Sequence, residues 1–325
     1  MNQYPWLNTY YNRIIQYYHS IKEKNNSPSP LLLISQEGNG ANYLLYNIII
    51  WLMCPKSYKE KFCGLCNHCK LMKARTHPDC YQINCKKENI GIDNIRSTLN
   101  NLYKYAHQGK KKIIWLQYIE FLNIHAINVL LKIMEDPPNN TYFFIECEKI
   151  YILPLTLRSR CHRWILPTPN ENFILNWLKK NNNLTDCKIA LRLCNGTPIN
   201  AQKLLSIYWE DRSKFCSILY QSVQSNDFFK LFPFILKEDK SIRIKLSWLY
   251  HFLWDALKYK KYLFDDISNI DQFELIKILS NRWNTFFFYK HLNNILILIK
   301  QFEEGSRINH ELGLINQLIA LESNI

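Results

Sequence analysis

The chain has 325 residues, enough for two or three domains, and carries 41 Lys and Arg against 27 Asp and Glu, a formal charge of +14. Met1–Tyr10 lacks the basic and apolar regions of a signal peptide, and the apolar run Tyr43–Cys54 is shorter than the roughly 20 residues of a membrane span, so a cytoplasmic chain is expected. The positive charge invites nucleic acid, but Lys and Arg are scattered through the chain, and charge by itself assigns no DNA-binding face.

Trp6, Tyr10, Ile14, Tyr17, Tyr18 and Ile21 recur at helical spacing, and Asn25–Pro30 reads as a loop. Leu31–Ile34 is a continuous apolar run suited to a central parallel strand. S-Q-E-G-N-G-A-N follows, and then a helical stretch, Tyr43–Met53. Strand, glycine loop and helix form the context of a phosphate-binding loop. A working loop is G-x-x-x-x-G-K-[ST], in which Lys neutralises phosphate charge and the hydroxyl holds Mg²⁺. Aligned on Gly40, Ser35 stands at the first Gly, Ala41 at the Lys and Asn42 at the hydroxyl, while Glu37 adds negative charge. The loop therefore reads as scaffold rather than as an ATP site.

Cys54, Cys63, Cys66 and Cys69 follow as C-x8-C-x2-C-x2-C. Short Cys pairs let thiolates converge on one tetrahedral Zn²⁺. The rivals are disulfides, which a cytoplasmic chain disfavours, and incidental core cysteines. Cys80 and Cys85 read as core or surface cysteines, with Cys80 in a strand. Ile92–Ala106 has the pattern of an amphipathic helix, and Ile113–Leu116 that of a buried strand followed by Gln117 and Tyr118. Glu120 reads as a solvent-facing helix-start residue.

Val129, Leu130, Ile133 and Met134 predict a helix that Pro137 and Pro138 stop at Asp136. Thr141–Cys147 is a short, aromatic, β-rich run. Leu157-Arg158-Ser159-Arg160-Cys161 precedes His162–Pro169, a strand and proline-marked linker. On the residues alone, Arg160 is also compatible with a buried salt bridge. Helices are expected at Glu171–Asn181, Asp186–Cys194 and Asn200–Tyr208, and the chain from Trp209 onward is helical and aromatic-rich.

The helix L-L-K-I-M-E-D-P-P, the strand behind it and the Ser-Arg-Cys triplet together resemble the clamp-loader branch of the AAA+ ATPases, as found in the bacterial DNA polymerase III clamp loader. The four cysteines, inserted after the loop helix, match that branch as well. The resemblance is strongest from Leu31 to Leu166. It implies an α/β fold with an AAA+ P-loop-type parallel sheet over 1–166, including a zinc module at 54–69. A small helical lid over 167–208 and an all-α collar over 209–325, through which subunits oligomerise, would follow.

In active members the strand before Gln117 ends in Asp-Glu, the Mg²⁺-binding and water-polarising pair. Here Gln117 and Tyr118 occupy those positions, Cys147 the polar sensor position and Ile199 that of a second sensor Arg. The resemblance thus implies a subunit that binds no ATP and has no activity alone, within a polymerase (nucleotidyltransferase) holoenzyme. It would act as a stator beside gamma/tau motor subunits and the delta subunit, in a ring that places the sliding clamp on primed DNA. Arg160, between Ser159 and Cys161, would reach in trans into a neighbour's ATP site. The alternatives are an ATP-hydrolysing gamma/tau-type motor, which lacks support at Ala41, Asn42, Gln117 and Tyr118, and a zinc-ribbon DNA-binding protein.

Overall fold

The computed structural model describes residues 3–23, 28–86, 111–179, 182–238, 241–304 and 307–322. The helix expected at Ile92–Ala106 lies outside them. The chain divides into two compact units, Met1–Pro169 and Asn170–Ile325. Among the described residues no helix is long and apolar enough to cross a membrane.

The first unit is built on β1 (Leu31–Ser35), β2 (Cys80–Asn84), β3 (Lys112–Gln117), β4 (Thr141–Cys147) and β5 (His162–Leu166). They form a five-stranded sheet in the order β2-β3-β4-β1-β5, every pairing parallel. β1 lies between β4 and β5, and Leu31, Leu32 and Leu33 are buried, which is why the run has no polar alternation. Helices cover both faces. On one, α1 (Asn8–Glu23) sets Tyr18 against Phe144 at 5.9 Å, and α2 (Ala41–Met53) sets Tyr46 near Trp115 at 6.5 Å.

A short helix, α3 (Asn67–Ala74), lies beyond α2 in sequence. The opposite face is covered by α4 (Ile124–Glu135) and α5 (Leu155–Arg160), whose Leu130, Met134 and Leu157 join Leu32, Ile114 and Ile145 in one apolar cluster. Asn123 caps α4 by accepting from the Ala126 N–H at 2.8 Å. The helix stops at Glu135, with Asp136 as its C-cap, because Pro137 forbids helical geometry in the residue before it.

The second unit is all-helical among its described residues. A buried core runs through it from Ile174 and Ile189, through Phe215, Leu246 and Phe252, to Phe288 and Leu318. The helices over Glu171–Leu178 and Leu184–Leu193 begin and end within a few residues of expectation. The helix expected over Asn200–Tyr208 does not stop there. Pro198–Lys203 passes through a π-helical segment, Leu204–Tyr208, into Trp209–Ser225. The expected lid–collar division at 208/209 falls inside this helical run, and the two stretches share one core. Arg212, buried, is fixed to Asp271 by two 2.8 Å bonds and to Asn269 by a third. Asp255 in turn accepts from the Ser268 and Asn269 N–H groups at 3.0 and 2.9 Å.

Candidate functional site

The strand–loop–helix expected at 31–53 is present. Gly38 (φ 100°) and Gly40 (φ 98°) are both left-handed, a conformation in which a Cβ would be strained, and Gly40 caps α2. The strand, a loop that needs glycine at two positions, and the helix are therefore all present. The side chains around the loop bond one another. Gln117, at the end of β3, shares a side-chain hydrogen bond with Asn42 at the start of α2 and accepts from Gln82 at 3.0 Å. Lys86 pairs with Glu37 at 2.6 Å and lies over the Tyr118 ring at 4.1 Å, and the Tyr118 hydroxyl donates to Glu37 at 3.4 Å. Trp6 reaches back from the N-terminal segment to donate to the Asn39 carbonyl at 2.8 Å.

The fold places two further polar positions here. Cys147, which the resemblance puts at the sensor position, faces away from α2 and is buried among Ile145, Leu153 and Leu157. The polar group on the α2 face is its neighbour Glu146, which is buried, accepts from the Trp115 indole at 2.6 Å and lies 2.7 and 3.0 Å from the Asn42 amide. Burial raises its carboxyl to about 8, so near neutral pH it stays largely protonated. The only sequence signal was a lone acid inside the apolar strand T-Y-F-F-I-E-C. Glu120 is not solvent-facing: one oxygen accepts from the Glu148 N–H at 2.9 Å and the other is buried without a partner.

The four cysteines converge. Their Sγ atoms all lie within 4.8 Å of one another, with Cys54–Cys63 at 3.5 Å and both Cys54–Cys66 and Cys63–Cys69 at 3.9 Å. A tetrahedral ion with bonds of about 2.3 Å to sulfur spaces its ligands by roughly 3.8 Å. A disulfide needs about 2.05 Å, and all four are free thiols. Cys54 caps the end of α2, Cys66 caps the start of α3, and Cys69 sits one turn into α3. Backbone N–H groups of Cys63, Cys66 and Cys69 point at the sulfurs of Cys54, Cys63 and Cys66 at 3.3–3.5 Å.

The N–H groups of Cys66 and Leu65 pull the Cys63 thiol down to about 6. Such donors favour thiolate at Cys63, whereas burial raises the thiols of Cys54 and Cys69. The cluster is tied to the first unit by bonds from Trp51 to the Lys59 carbonyl at 2.8 Å and from Tyr11 to the Glu60 carbonyl at 2.7 Å. The four residues can therefore hold one metal ion. Cys80 and Cys85 are outside the cluster, their thiols pushed up to about 12 by burial. His68 and His77 bond to each other at 2.9 Å.

In the Ser-Arg-Cys triplet each residue does something different. Cys161 is buried in the apolar cluster under α4 and α5, and the Ser159 hydroxyl donates to the Thr156 carbonyl at 3.1 Å. Arg160 ends α5 with its side chain 38% exposed; it donates to the Thr156 carbonyl at 2.9 Å and pairs with Glu135 of α4. It is thus ion-paired but not buried. Tyr151 and Leu155 nearby in sequence are each 73% exposed.

Residues 10–170 match the family model described as "DNA polymerase III, delta subunit", and 207–323 the one described as "DNA polymerase III, delta subunit, C terminal". The chain is 35% identical to DNA polymerase III subunit delta' of Yersinia pestis, with 99% of this chain and 96% of the relative covered. It is 31% identical to the subunit of that name from Escherichia coli, over the same shares. A DNA polymerase III subunit gamma of Buchnera aphidicola is 24% identical over 86% of this chain and 79% of the relative. Among solved structures, a gamma subunit-related protein of Thermotoga maritima aligns over 98% of this chain and 99% of its own, with 16% identity and a TM-score of 0.47. The chain belongs to the DNA polymerase III delta' family, within the clamp-loader branch that its Ser-Arg-Cys triplet resembles.

Proposed function

We propose that this chain is the non-motor, stator subunit of the DNA polymerase III clamp loader. In this reading it joins gamma/tau motor subunits and the delta subunit in a ring, in the cytoplasm, that loads the sliding clamp onto primed DNA. It binds no ATP of its own, and Arg160 completes the ATP site of the adjacent motor subunit. The observation that carries the reading is an asymmetry between two sites. Around the loop, Asn42, Gln117, Glu37 and Tyr118 are engaged with one another and with Lys86 and Glu146, whereas Arg160 stands exposed on a short helix anchored by Cys161. What would hold a nucleotide in cis has been replaced, and what could act on a neighbour's nucleotide is retained.

The chemistry asked of Arg160 is electrostatic. A guanidinium aimed at the oxygens of a transferring phosphoryl group stabilises charge that develops only in the transition state, and is worth on the order of 10³–10⁵ in rate. The exposed Tyr151 and Leu155 support an adjoining protein surface on this side. We assign Zn²⁺ as the ion of Cys54, Cys63, Cys66 and Cys69, because four converging thiolates at tetrahedral spacing match its structural sites. A gamma/tau-type motor would need the Lys and hydroxyl that Ala41 and Asn42 replace. The test is a ring reconstituted from motor subunits, delta and this chain. DNA-stimulated ATP turnover and clamp loading should fall with Arg160→Ala while assembly and melting temperature hold. Unchanged turnover in that ring would remove the finger and leave only a scaffold.

A further inference from the structure

Arg160 is held from a second helix. Its Nη1 donates to the Thr156 carbonyl within its own turn, at 2.9 Å, and its Nη2 faces the Glu135 carboxylate at the end of α4. Guanidinium carries five N–H donors in a rigid plane. Two contacts from different directions fix that plane and leave the rest of the fork for phosphate oxygens. Glu135 is otherwise badly sited. A carboxylate in the last turn of a helix meets the negative end of the helix dipole, an unfavourable place. Its position is dictated by chain geometry, because Asp136-Pro137 ends the helix immediately after it.

Nor does the pair serve stability to a useful extent. The side chains are 38% and 52% exposed, and ion pairs this open are screened by water and add little to stability. What the contact does supply is orientation. We infer that Glu135 is a positioning residue for Arg160, holding the guanidinium by one edge so that it meets the neighbour's nucleotide in a fixed plane. The inference rests on the finger role proposed above and specifies which residue makes that finger effective. It links the double-proline helix to the Ser-Arg-Cys triplet by a side-chain contact.

The experiment is a double-mutant cycle in the ring reconstituted from motor subunits, delta and this chain. DNA-stimulated ATP turnover is measured for the unmodified chain, Glu135→Gln, Glu135→Ala, Arg160→Ala and the double variant Glu135→Ala/Arg160→Ala. Loss of orientation should lower kcat by about tenfold with either Glu135 variant, within the range that misplacement of a catalytic group produces. KM for ATP should stay within about twofold, since the contact acts on the transition state. Glu135→Gln keeps the shape but not the charge, so equal loss in both variants identifies the charge as the orienting element. The double variant should be no slower than Arg160→Ala.

Three results would overturn the inference while leaving the finger intact: a slow Arg160→Ala ring beside normal Glu135 rings, faster turnover in Glu135→Gln, or fully multiplicative losses in the double variant. A normal Arg160→Ala ring would instead overturn the finger itself, and the role of Glu135 with it. Melting temperature of each isolated chain and ring assembly by size-exclusion chromatography separate these outcomes from failure to fold.

Discussion

The side-chain amides of Gln117 and Asn42 bond each other, joining the end of β3 to the start of α2 across 75 residues of sequence. These are the two positions at which an active relative of this fold would grip Mg²⁺ through a carboxylate and a hydroxyl. Here two uncharged amides satisfy one another, and Glu146 lies directly beside them. The loop keeps its shape without needing a nucleotide.

The isolated chain should therefore give no ATP-binding heat by calorimetry. Nor should Ala41→Lys with Asn42→Ser restore hydrolysis, because Gln117 and Tyr118 still lack the acidic pair. Micromolar ATP affinity, abolished by substitutions in Gly38–Asn42, would count decisively against this.

Glu146 gives a pH signature. Its folded pKa, about 8, is raised above the usual 4.5. Below about 4.5 it is protonated in both folded and unfolded chains and costs nothing. As pH rises toward 8, the unfolded chain ionises there while the folded chain resists, so stability is lost over that window and then levels off. Glu146→Gln cannot ionise. The urea-unfolding free energy of the unmodified chain, minus that of Glu146→Gln, should fall between pH 5 and pH 8 by up to a few kcal/mol. A difference independent of pH would mean that Glu146 is ionised in the folded chain.

Elemental analysis of protein purified under reducing conditions without chelator should find one Zn²⁺ per chain. Cys66→Ser with Cys69→Ser should abolish it. Structural zinc contributes roughly 10–16 kcal/mol of apparent binding in small modules. Here Trp51, Tyr11 and the sheet core hold the surroundings independently. Hydrogen exchange should therefore accelerate within 54–69, with the remaining strands still protected. Full zinc retention in the double variant would refute the ligand set.

Arg160→Lys is the sharper probe of the finger. It keeps a charge but loses the planar fork, which contacts Glu135 and Thr156 and in the proposed role would also grip two phosphate oxygens. Lys should recover less than half of the ATP turnover lost in Arg160→Ala rings. Full recovery would mean that a point charge suffices and that the two-helix positioning has no catalytic consequence.

Much of this protein was determined by local chemistry that a sequence displays directly. Leu31–Ile34 had to be a central strand because it has no polar face, Pro137 had to end a helix, and the short spacing of Cys63, Cys66 and Cys69 brings thiols together whatever surrounds them. Ala41 and Asn42 are equally plain, since a missing Lys and hydroxyl need no geometry to be missed. Tertiary structure decided what depends on register and on elements distant in sequence. Residues 146 and 147 differ by one step along a strand of period two, so pairing alone chose which faces the loop, and it chose Glu146. Glu120 was turned inward by the end of β4, 28 residues away. The helical run across 208/209 stays continuous because both stretches bury their apolar faces in one core. Glu135 and Arg160 lie 25 residues apart on separate helices, and they meet only because the sheet packs α4 beside α5.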